Sequence, residues 1–290
     1  MEKRIIDEKL LLNYEQWLHE NERSRGTTKR YCAFAHQFLH FLEGRSVCKE
    51  EVVRWKEQLR ERVSPSTVNV ALAALNSLFR YMGRNDCIIK FLKVKRQMFC
   101  PEEKELTREE YQKLVLTAES NGNERLALLI QTVCATGIRV SELENITVEA
   151  ARKKTALVDG KGKLRRIFLP TKLCRLLLEY AGKKNIQRGM IFVTRTGGKL
   201  DRSNIWRDMK KTASLAGVDT EKVFPHNLRH LFARSFYSQE KDLLRLADIL
   251  GHSSINTTRI YTVESGENHV RQIEKMDLII NDYNRIHLLI

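Results

Sequence analysis

The stretch FPHNLRHLFARSF, residues 224–236, places two histidines and an arginine inside an apolar run with helical spacing. His226 and Arg229 are three residues apart, so a helix presents them on one face, whereas His230 is expected to point elsewhere. A histidine beside an arginine is suited to an anionic partner. The charge of the whole chain bears directly on what that partner is.

The charge balance of the chain points to a polyanion. The 290 residues are 42% hydrophobic and 30% charged, which is typical of a soluble globular protein with one large domain or two. The net charge is +15, and the excess is spread along the chain: residues 1–100 carry 19 basic and 12 acidic side chains, and residues 101–290 carry 32 and 24. Nucleic acid is therefore the leading partner, and a protein that is merely cationic is the alternative.

Several classes of protein are excluded by what the sequence lacks. No apolar stretch approaches the roughly 20 residues of a membrane span, and the amino terminus has no signal-peptide core, so a cytoplasmic protein is expected. The six cysteines are scattered without a C-x-x-C pair, which argues against a zinc site or a disulfide framework. No phosphate-binding loop of the G-x-x-x-x-G-K-[ST] type is present. No cofactor and no metal are expected.

Helical periodicity dominates the first part of the chain. Apolar residues recur at three- and four-residue steps over 8–24, 27–43, 49–62 and 66–83, and the aromatic residues among them are expected in a core. Ser64 and Pro65 form a helix-start signal before the fourth run. The pattern predicts a four-helix amino-terminal bundle.

A change of composition predicts a domain boundary. Residues 96–106 belong to a basic, then proline-containing, then acidic connector, and Thr107 to Glu110 form a capping box that opens the next helix. We assign residues 1–95 to a first domain and 107–290, with a carboxy-terminal tail, to a second.

The second domain is expected to be mostly helical with a small antiparallel sheet. Residues 155–159 and 165–169 predict two strands around a turn, and 190–193 predicts another short strand. The fold class is mainly α (α+β).

Four separated segments of this domain place a polar group in an apolar context. They are ATGIRVSEL (135–143), DGKGKLRRIFLP (159–170), PHNLRHLFA (225–233) and LGHSSINTTRIYT (250–262). Taken singly, each has an ordinary explanation: an ion-paired arginine, a solvated lysine at a turn, a hydrogen-bonded histidine, a packed tyrosine.

Together the four segments fit the cleavage of a DNA phosphodiester. Attack on the phosphorus builds charge on its non-bridging oxygens, and two planar guanidinium groups can stabilise that charge without a metal. A tyrosine can form a covalent phosphate ester and later leave. A lysine can protonate the departing sugar oxygen, and histidines can manage the tyrosine proton.

The wording and order of the segments resemble the tyrosine recombinases of the phage integrase family, in particular short Xer-like members and transposon integrases. The resemblance is strong over 107–265, and the amino-terminal bundle more loosely resembles the family's core-binding, SAM-like domain. The catalytic residues that it implies are Arg139, Lys161, His226, Arg229, His252 and Tyr261.

The resemblance also implies a role for each residue. Arg139 and Arg229 would hold the phosphate, and His252 would hydrogen-bond to it. Tyr261 would be the nucleophile and His226 the general acid or base. Lys161 would protonate the 5′-oxygen, although Lys163 is an alternative two residues away.

Two neighbouring residues bear on these assignments. Glu142 is expected to brace Arg139 or its helix. Leu231 departs from the small hydroxyl residue common after L-R-H in the family, at a position that is expected to support packing.

The implied activity is cleavage and rejoining of duplex DNA at inverted core sites through a 3′-phosphotyrosine. Four protomers would exchange strands through a Holliday junction, for integration, excision or dimer resolution, in the cytoplasm on the nucleoid. The tail at 268–290 would dock on a neighbouring protomer, or pack on its own.

Two alternatives to a recombinase stay open at this point. They are a type IB topoisomerase and a non-catalytic DNA-binding protein on the same scaffold.

Overall fold

The computed structural model describes residues 5–94, 105–160, 163–252, 254–258 and 274–276. The chain divides into two compact units, Met1–Arg96 and Gln97–Ile290. Most of the predicted connector at 96–106 lies outside the described residues. None of the helices in the described ranges is long and apolar enough to cross a membrane.

The first unit is a bundle of four α-helices. They are α1 (Glu8–Glu20), α2 (Arg25–Leu42), α3 (Lys49–Arg62) and α4 (Pro65–Tyr81), followed by a short 3-10 helix (Asn85–Cys87). The predicted start of α4 is confirmed, because the Ser64 side chain accepts a hydrogen bond from the Thr67 amide at 3.3 Å. The four runs of periodic sequence are therefore helices, as predicted.

Aromatic side chains form the centre of this bundle. Tyr14, Phe38 and Phe79 are fully buried, and the Phe38 ring meets the Phe79 ring edge-on at a centroid distance of 6.0 Å. Such edge-on pairs are favoured because the positive edge of one ring faces the negative face of the other. Tyr31, Phe34 and Phe41 are only partly buried around this core.

The second unit is mostly helical and carries one two-stranded sheet. Its elements are α5 (Arg108–Ser120), α6 (Glu124–Thr136), a 3-10 helix (Val140–Asn145), α7 (Val148–Lys153), β1 (Thr155–Gly160), β2 (Lys163–Phe168), α8 (Thr171–Lys183), α9 (Arg202–Leu215), a 3-10 helix (Thr220–Lys222), α10 (Pro225–Glu240), α11 (Leu243–Leu250) and α12 (Ile255–Thr258). The predicted capping box is present: Glu110 N donates to Thr107 Oγ1 at 3.1 Å, and Thr107 N donates to Glu110 Oε2 at 2.8 Å.

The sheet is the predicted antiparallel hairpin, with Thr155 opposite Phe168 and Val158 opposite Arg165. The further strand expected at 190–193 is wrong. Within the described residues this segment makes only isolated bridges, Thr147 with Met190 and Val193 with Lys199. Apart from that segment, the predicted fold class of a helical bundle followed by a mostly helical domain with a small sheet is confirmed.

A glycine turn connects α6 to the first candidate arginine. Gly137 has φ +63°, the left-handed conformation that terminates a helix at low cost only in glycine. A Cβ atom at this position would lie 2.5 Å from Phe232 Cδ1 and 2.9 Å from Leu250 Cδ2. The turn therefore brings α6 close to α10 and to the end of α11.

Gly137→Ala tests this close approach. The positive φ costs about 1–2 kcal/mol in an alanine, and forcing Phe232 and Leu250 apart costs about 1–3 kcal/mol more. We expect the free energy of unfolding in urea to fall by the sum of the two. The matched control is Gly122→Ala, where φ is +71° and no atom lies within 4 Å of the added carbon, so only the first cost applies. Equal losses in the two variants would contradict the close packing around Gly137.

Candidate active site

Arg139 lies at the start of the 3-10 helix, two residues after the Gly137 turn. Glu142 holds it twice: Arg139 Nη1 donates to Glu142 Oε1 and the Arg139 amide donates to Glu142 Oε2, both at 2.9 Å. The Arg139 side chain is 39% exposed, against 11% for that of Glu142. The predicted bracing by Glu142 is therefore observed, and the Arg139 guanidinium stays accessible from solvent.

Arg229 lies on α10 and is almost completely buried, with 1% of its surface exposed. Its Nη1 donates to the Gly137 carbonyl oxygen, and its Nη2 donates to the Leu250 carbonyl oxygen at 2.7 Å. These two carbonyls end α6 and α11, where unsatisfied carbonyl groups give a helix a partial negative charge. Two helix ends therefore stabilise the buried cation in place of water.

His252 follows the end of α11 and touches Arg229. Its Nε2 lies 3.0 Å from Arg229 Nη2, and its Nδ1 lies 2.8 Å from the hydroxyl of the buried Thr258. A guanidinium can only donate, so Nε2 accepts and the proton of the ring is on Nδ1. Burial and the charge of Arg229 lower the pKa of His252 to about 4, which agrees with a neutral ring.

His226 and His230 lie one turn apart on α10, and their rings meet edge-on at a centroid distance of 4.7 Å. The expectation that His230 points away from His226 is wrong, because residues four apart on a helix are neighbours just as residues three apart are. Burial lowers the pKa of both, that of His230 to about 4. Arg229 and Arg139 lower the pKa of His226 further, so both rings are neutral at pH 7.

The inward face of β2 contributes a residue that the sequence interpretation did not single out. The Arg165 side chain is 11% exposed, and it donates to Glu142 Oε2 through Nη2 and to the Leu250 carbonyl oxygen through Nη1. Strand alternation could have signalled it, because Arg165 shares a face with buried Ile167 whereas Arg166 faces outward. An arginine at an inward strand position requires a partner.

The structure therefore brings together four of the six candidates. Arg139, His226, Arg229 and His252 are close enough for their charges to act on one another, since Arg229, Arg139 and His226 all lower the pKa of His252. Lys161 and Tyr261 lie outside the described residues, as does most of the tail at 268–290, of which only 274–276 are described.

Two family models match the chain. Residues 104–267 match the phage integrase family, and residues 10–89 match the phage integrase N-terminal SAM-like domain. The first match alone covers more than half of the chain and includes all six candidates.

Curated relatives match over nearly the whole chain. Tyrosine recombinase XerA of Pyrococcus furiosus is 29% identical over 290 residues, covering 97% of this chain and 98% of the relative. Tyrosine recombinase XerD of Halalkalibacterium halodurans is 28% identical over 278 residues, covering 86% of this chain and 92% of the relative.

Solved structures share the fold. A lambda integrase dimer bound to a COC′ core site has a TM-score of 0.72 at 18% identity and covers 89% of this chain and 95% of that one. XerH recombinase in a pre-cleavage complex with its difH substrate has a TM-score of 0.67 at 20% identity, covering 93% and 90%.

The protonation state of His252 can be measured directly by nitrogen NMR of the imidazole rings. We expect His252 to titrate with a pKa near 4 and to carry its proton on Nδ1. Arg139→Met removes one of the positive charges that lower this pKa, so the variant should show a higher pKa with the same tautomer. An ordinary pKa near 6.5, or a proton on Nε2, would contradict the hydrogen bond from Arg229.

The same shifts determine how stability depends on pH. The pKa values of His230 and His252 are lower in the folded protein than in the unfolded chain, so the unfolded chain binds protons first. The two neutral histidines therefore make their full contribution to the free energy of unfolding above about pH 6.5. That contribution is lost as the pH falls towards 4, because the unfolded chain gains protons that the folded protein does not.

Proposed function

The chain belongs to the phage integrase family and is a tyrosine-type site-specific DNA recombinase, and from this premise we propose how its residues carry out the reaction. It cleaves and rejoins duplex DNA through a 3′-phosphotyrosine and exchanges strands through a Holliday junction. The residues that we assign to catalysis are Arg139, Lys161, His226, Arg229, His252 and Tyr261. The observation that carries the proposal is the arrangement of the two arginines. Arg229 donates a hydrogen bond to the Gly137 carbonyl, and Arg139 lies two residues after that glycine. His252 is hydrogen-bonded to Arg229.

Arg139 and Arg229, together called the phosphate clamp, bind the scissile phosphate. Each guanidinium offers fixed N–H donors to the non-bridging oxygens, whose charge rises in the transition state. Arg229 is held in place before DNA binds, by the two helix-end carbonyls. Arg139 is the more exposed of the pair and meets the phosphate from the solvent side.

Tyr261 attacks the phosphorus and forms the 3′-phosphotyrosine, and the bond to the 5′-oxygen breaks. His226 takes the tyrosine proton, for which a neutral ring with a lowered pKa is ready at pH 7. Lys161 gives a proton to the 5′-oxygen, which leaves as a hydroxyl. The hydroxyl of a partner strand later displaces the tyrosine, so the energy of the phosphodiester bond is retained and ATP is not required.

His252 changes its role when DNA arrives. In this structure its Nε2 accepts a hydrogen bond from Arg229, whereas a phosphate oxygen requires a donor. The negative phosphate offsets the arginine charges that lower the pKa of His252, so the ring gains a proton and donates to the phosphate.

The partner is double-stranded DNA with inverted core sites, and the enzyme acts as a homotetramer in the cytoplasm, on the nucleoid. The net charge of +15 supports contacts with many phosphates. The tail at 268–290 is proposed to dock in trans on a neighbouring protomer.

The two alternatives, a type IB topoisomerase and a non-catalytic DNA-binding protein, are not favoured. The curated relatives described above carry the name tyrosine recombinase.

Tyr261→Phe tests the nucleophile. The change removes one oxygen and keeps the ring, so DNA binding should be retained. On a nicked suicide substrate that blocks rejoining, the wild type should accumulate a denaturant-resistant protein–DNA adduct and the variant should form none. Tyr237→Phe is the control and should form the adduct at the wild-type rate. An adduct in Tyr261→Phe, or one mapped by peptide mass spectrometry to another tyrosine, would overturn the assignment.

A substrate with sulfur in place of the 5′ bridging oxygen tests Lys161 against Lys163. A thiolate leaves without protonation because the pKa of a thiol is only about 8.5. Lys161→Ala should cleave ordinary DNA about 10²–10⁴-fold more slowly and regain a near wild-type rate with the sulfur substrate. Lys163→Ala should be slowed little on either substrate. The reverse pattern would assign the proton donor to Lys163, and equal losses on both substrates would remove Lys161 from leaving-group protonation.

A further inference from the structure

Arg165 binds one acceptor of each arginine in the phosphate clamp. Its Nη2 donates to Glu142, whose other oxygen holds the Arg139 guanidinium at 2.9 Å. Its Nη1 donates to the Leu250 carbonyl oxygen, which also accepts from Arg229 Nη2 at 2.7 Å. A single side chain on β2 therefore shares one acceptor with Arg139 and another with Arg229.

The turn after α11 is shaped around this side chain. Gly251 has φ +62°, and a Cβ atom there would lie 2.5 Å from Arg165 Cδ and 3.0 Å from Arg165 Nη1. Only a residue without a side chain lets the guanidinium lie against the turn that leads into His252. The close approach shows that the Arg165 side chain packs against this turn, beside the Leu250 carbonyl that it binds.

We propose that Arg165 is a positioning residue for the recombination reaction, which sets the spacing of the Arg139 and Arg229 guanidinium groups by joining Glu142 to the end of α11. The inference rests on the proposed function of those two arginines. The two arginines are already connected once, because Arg229 donates to the carbonyl of Gly137, two residues before Arg139. Arg165 provides a second connection between them. Arg165 touches neither substrate nor reacting atoms in this role.

The chemistry of the site explains why this residue is an arginine. Its two acceptors belong to different elements, the 3-10 helix and α11, and a planar guanidinium offers two nitrogen donors with fixed geometry. A lysine has a single nitrogen and cannot keep both acceptors at that spacing. Burial and the nearby charge of Arg139 lower the pKa of Arg165, whereas the Glu142 carboxylate raises it. The carboxylate therefore offsets part of the cost of burying a second guanidinium beside Arg139.

A purely structural role is the alternative, and a ratio of rates separates the two. A methylphosphonate at the scissile position carries no negative charge, so its cleavage depends less on the phosphate clamp than cleavage of the ordinary phosphodiester. Misplaced guanidinium groups would slow the charged substrate selectively. A smaller folded fraction would slow both substrates equally and leave the ratio of their rates unchanged.

The experiment measures single-turnover adduct formation by the full-length chain on matched phosphodiester and methylphosphonate suicide substrates. A displacement of about 1 Å near reacting atoms can cost about 10²-fold in rate. We expect Arg165→Met to lose about that much on the phosphodiester and less than about tenfold on the methylphosphonate. Arg165→Lys keeps the positive charge beside Glu142, and it decides the test should Arg165→Met fail to fold. The rate on the phosphodiester divided by the rate on the methylphosphonate should therefore fall in Arg165→Met, and it should fall equally in Arg165→Lys.

Arg166→Met is the matched control, because Arg166 is on the same strand and faces outward. At saturating DNA its ratio of rates should equal that of the wild type. An unchanged ratio in Arg165→Met, or in Arg165→Lys, would overturn the positioning role. Failure of the wild type to form any adduct is a different result: it would overturn the proposed function itself.

Discussion

The burial of the Arg229 guanidinium is the constraint on which the rest of the site depends. Moving an unpaired charge out of water costs many kcal/mol, so a buried arginine is stable only if fixed partners replace its hydration. Here those partners include the carbonyl groups that end α6 and α11, together with His252. The glycine turns that terminate both helices and the packing of α10 against α6 bring those atoms to one place.

The sequence could predict elements and side chains, but it could not predict main-chain partners. Helical periodicity located the helices, and polar groups in apolar runs pointed to Arg139, Arg229 and His252. The Gly137 and Leu250 carbonyls carry no side-chain signal, so their role as acceptors appears only in three dimensions. The error on His230 has a similar origin, because spacings of three and four are both adjacent on a helix, and packing decides which neighbours touch.

Arg165 was missed for a related reason. Residues near a turn that is rich in lysine and arginine are expected to be solvated, and the alternation along β2 is the one signal that Arg165, and not Arg166, faces inward. The short segment at 190–193 failed as a strand because it makes single bridges, one to Thr147 and one to Lys199, rather than a ladder. A run of apolar residues determines that a segment is buried, but hydrogen-bonding partners determine whether it is a strand.

The site concentrates positive charge, because Arg139, Arg165 and Arg229 are close enough for all three to lower the pKa of His252. Arg139 and Arg165 pair with the carboxylate of Glu142, whereas Arg229 is held by main-chain carbonyls and His252. Burial and the nearby arginine charges lower the pKa values of His226, His230 and His252, so these rings are neutral at pH 7. A phosphate in this position would offset the repulsion between the guanidinium groups and raise the pKa of His252 at the same time. The transition state carries more charge on its non-bridging oxygens than the ground state does, so it gains more from the same groups. The proposed function therefore predicts that the repulsion between these guanidinium groups is relieved more in the transition state than in the complex with substrate.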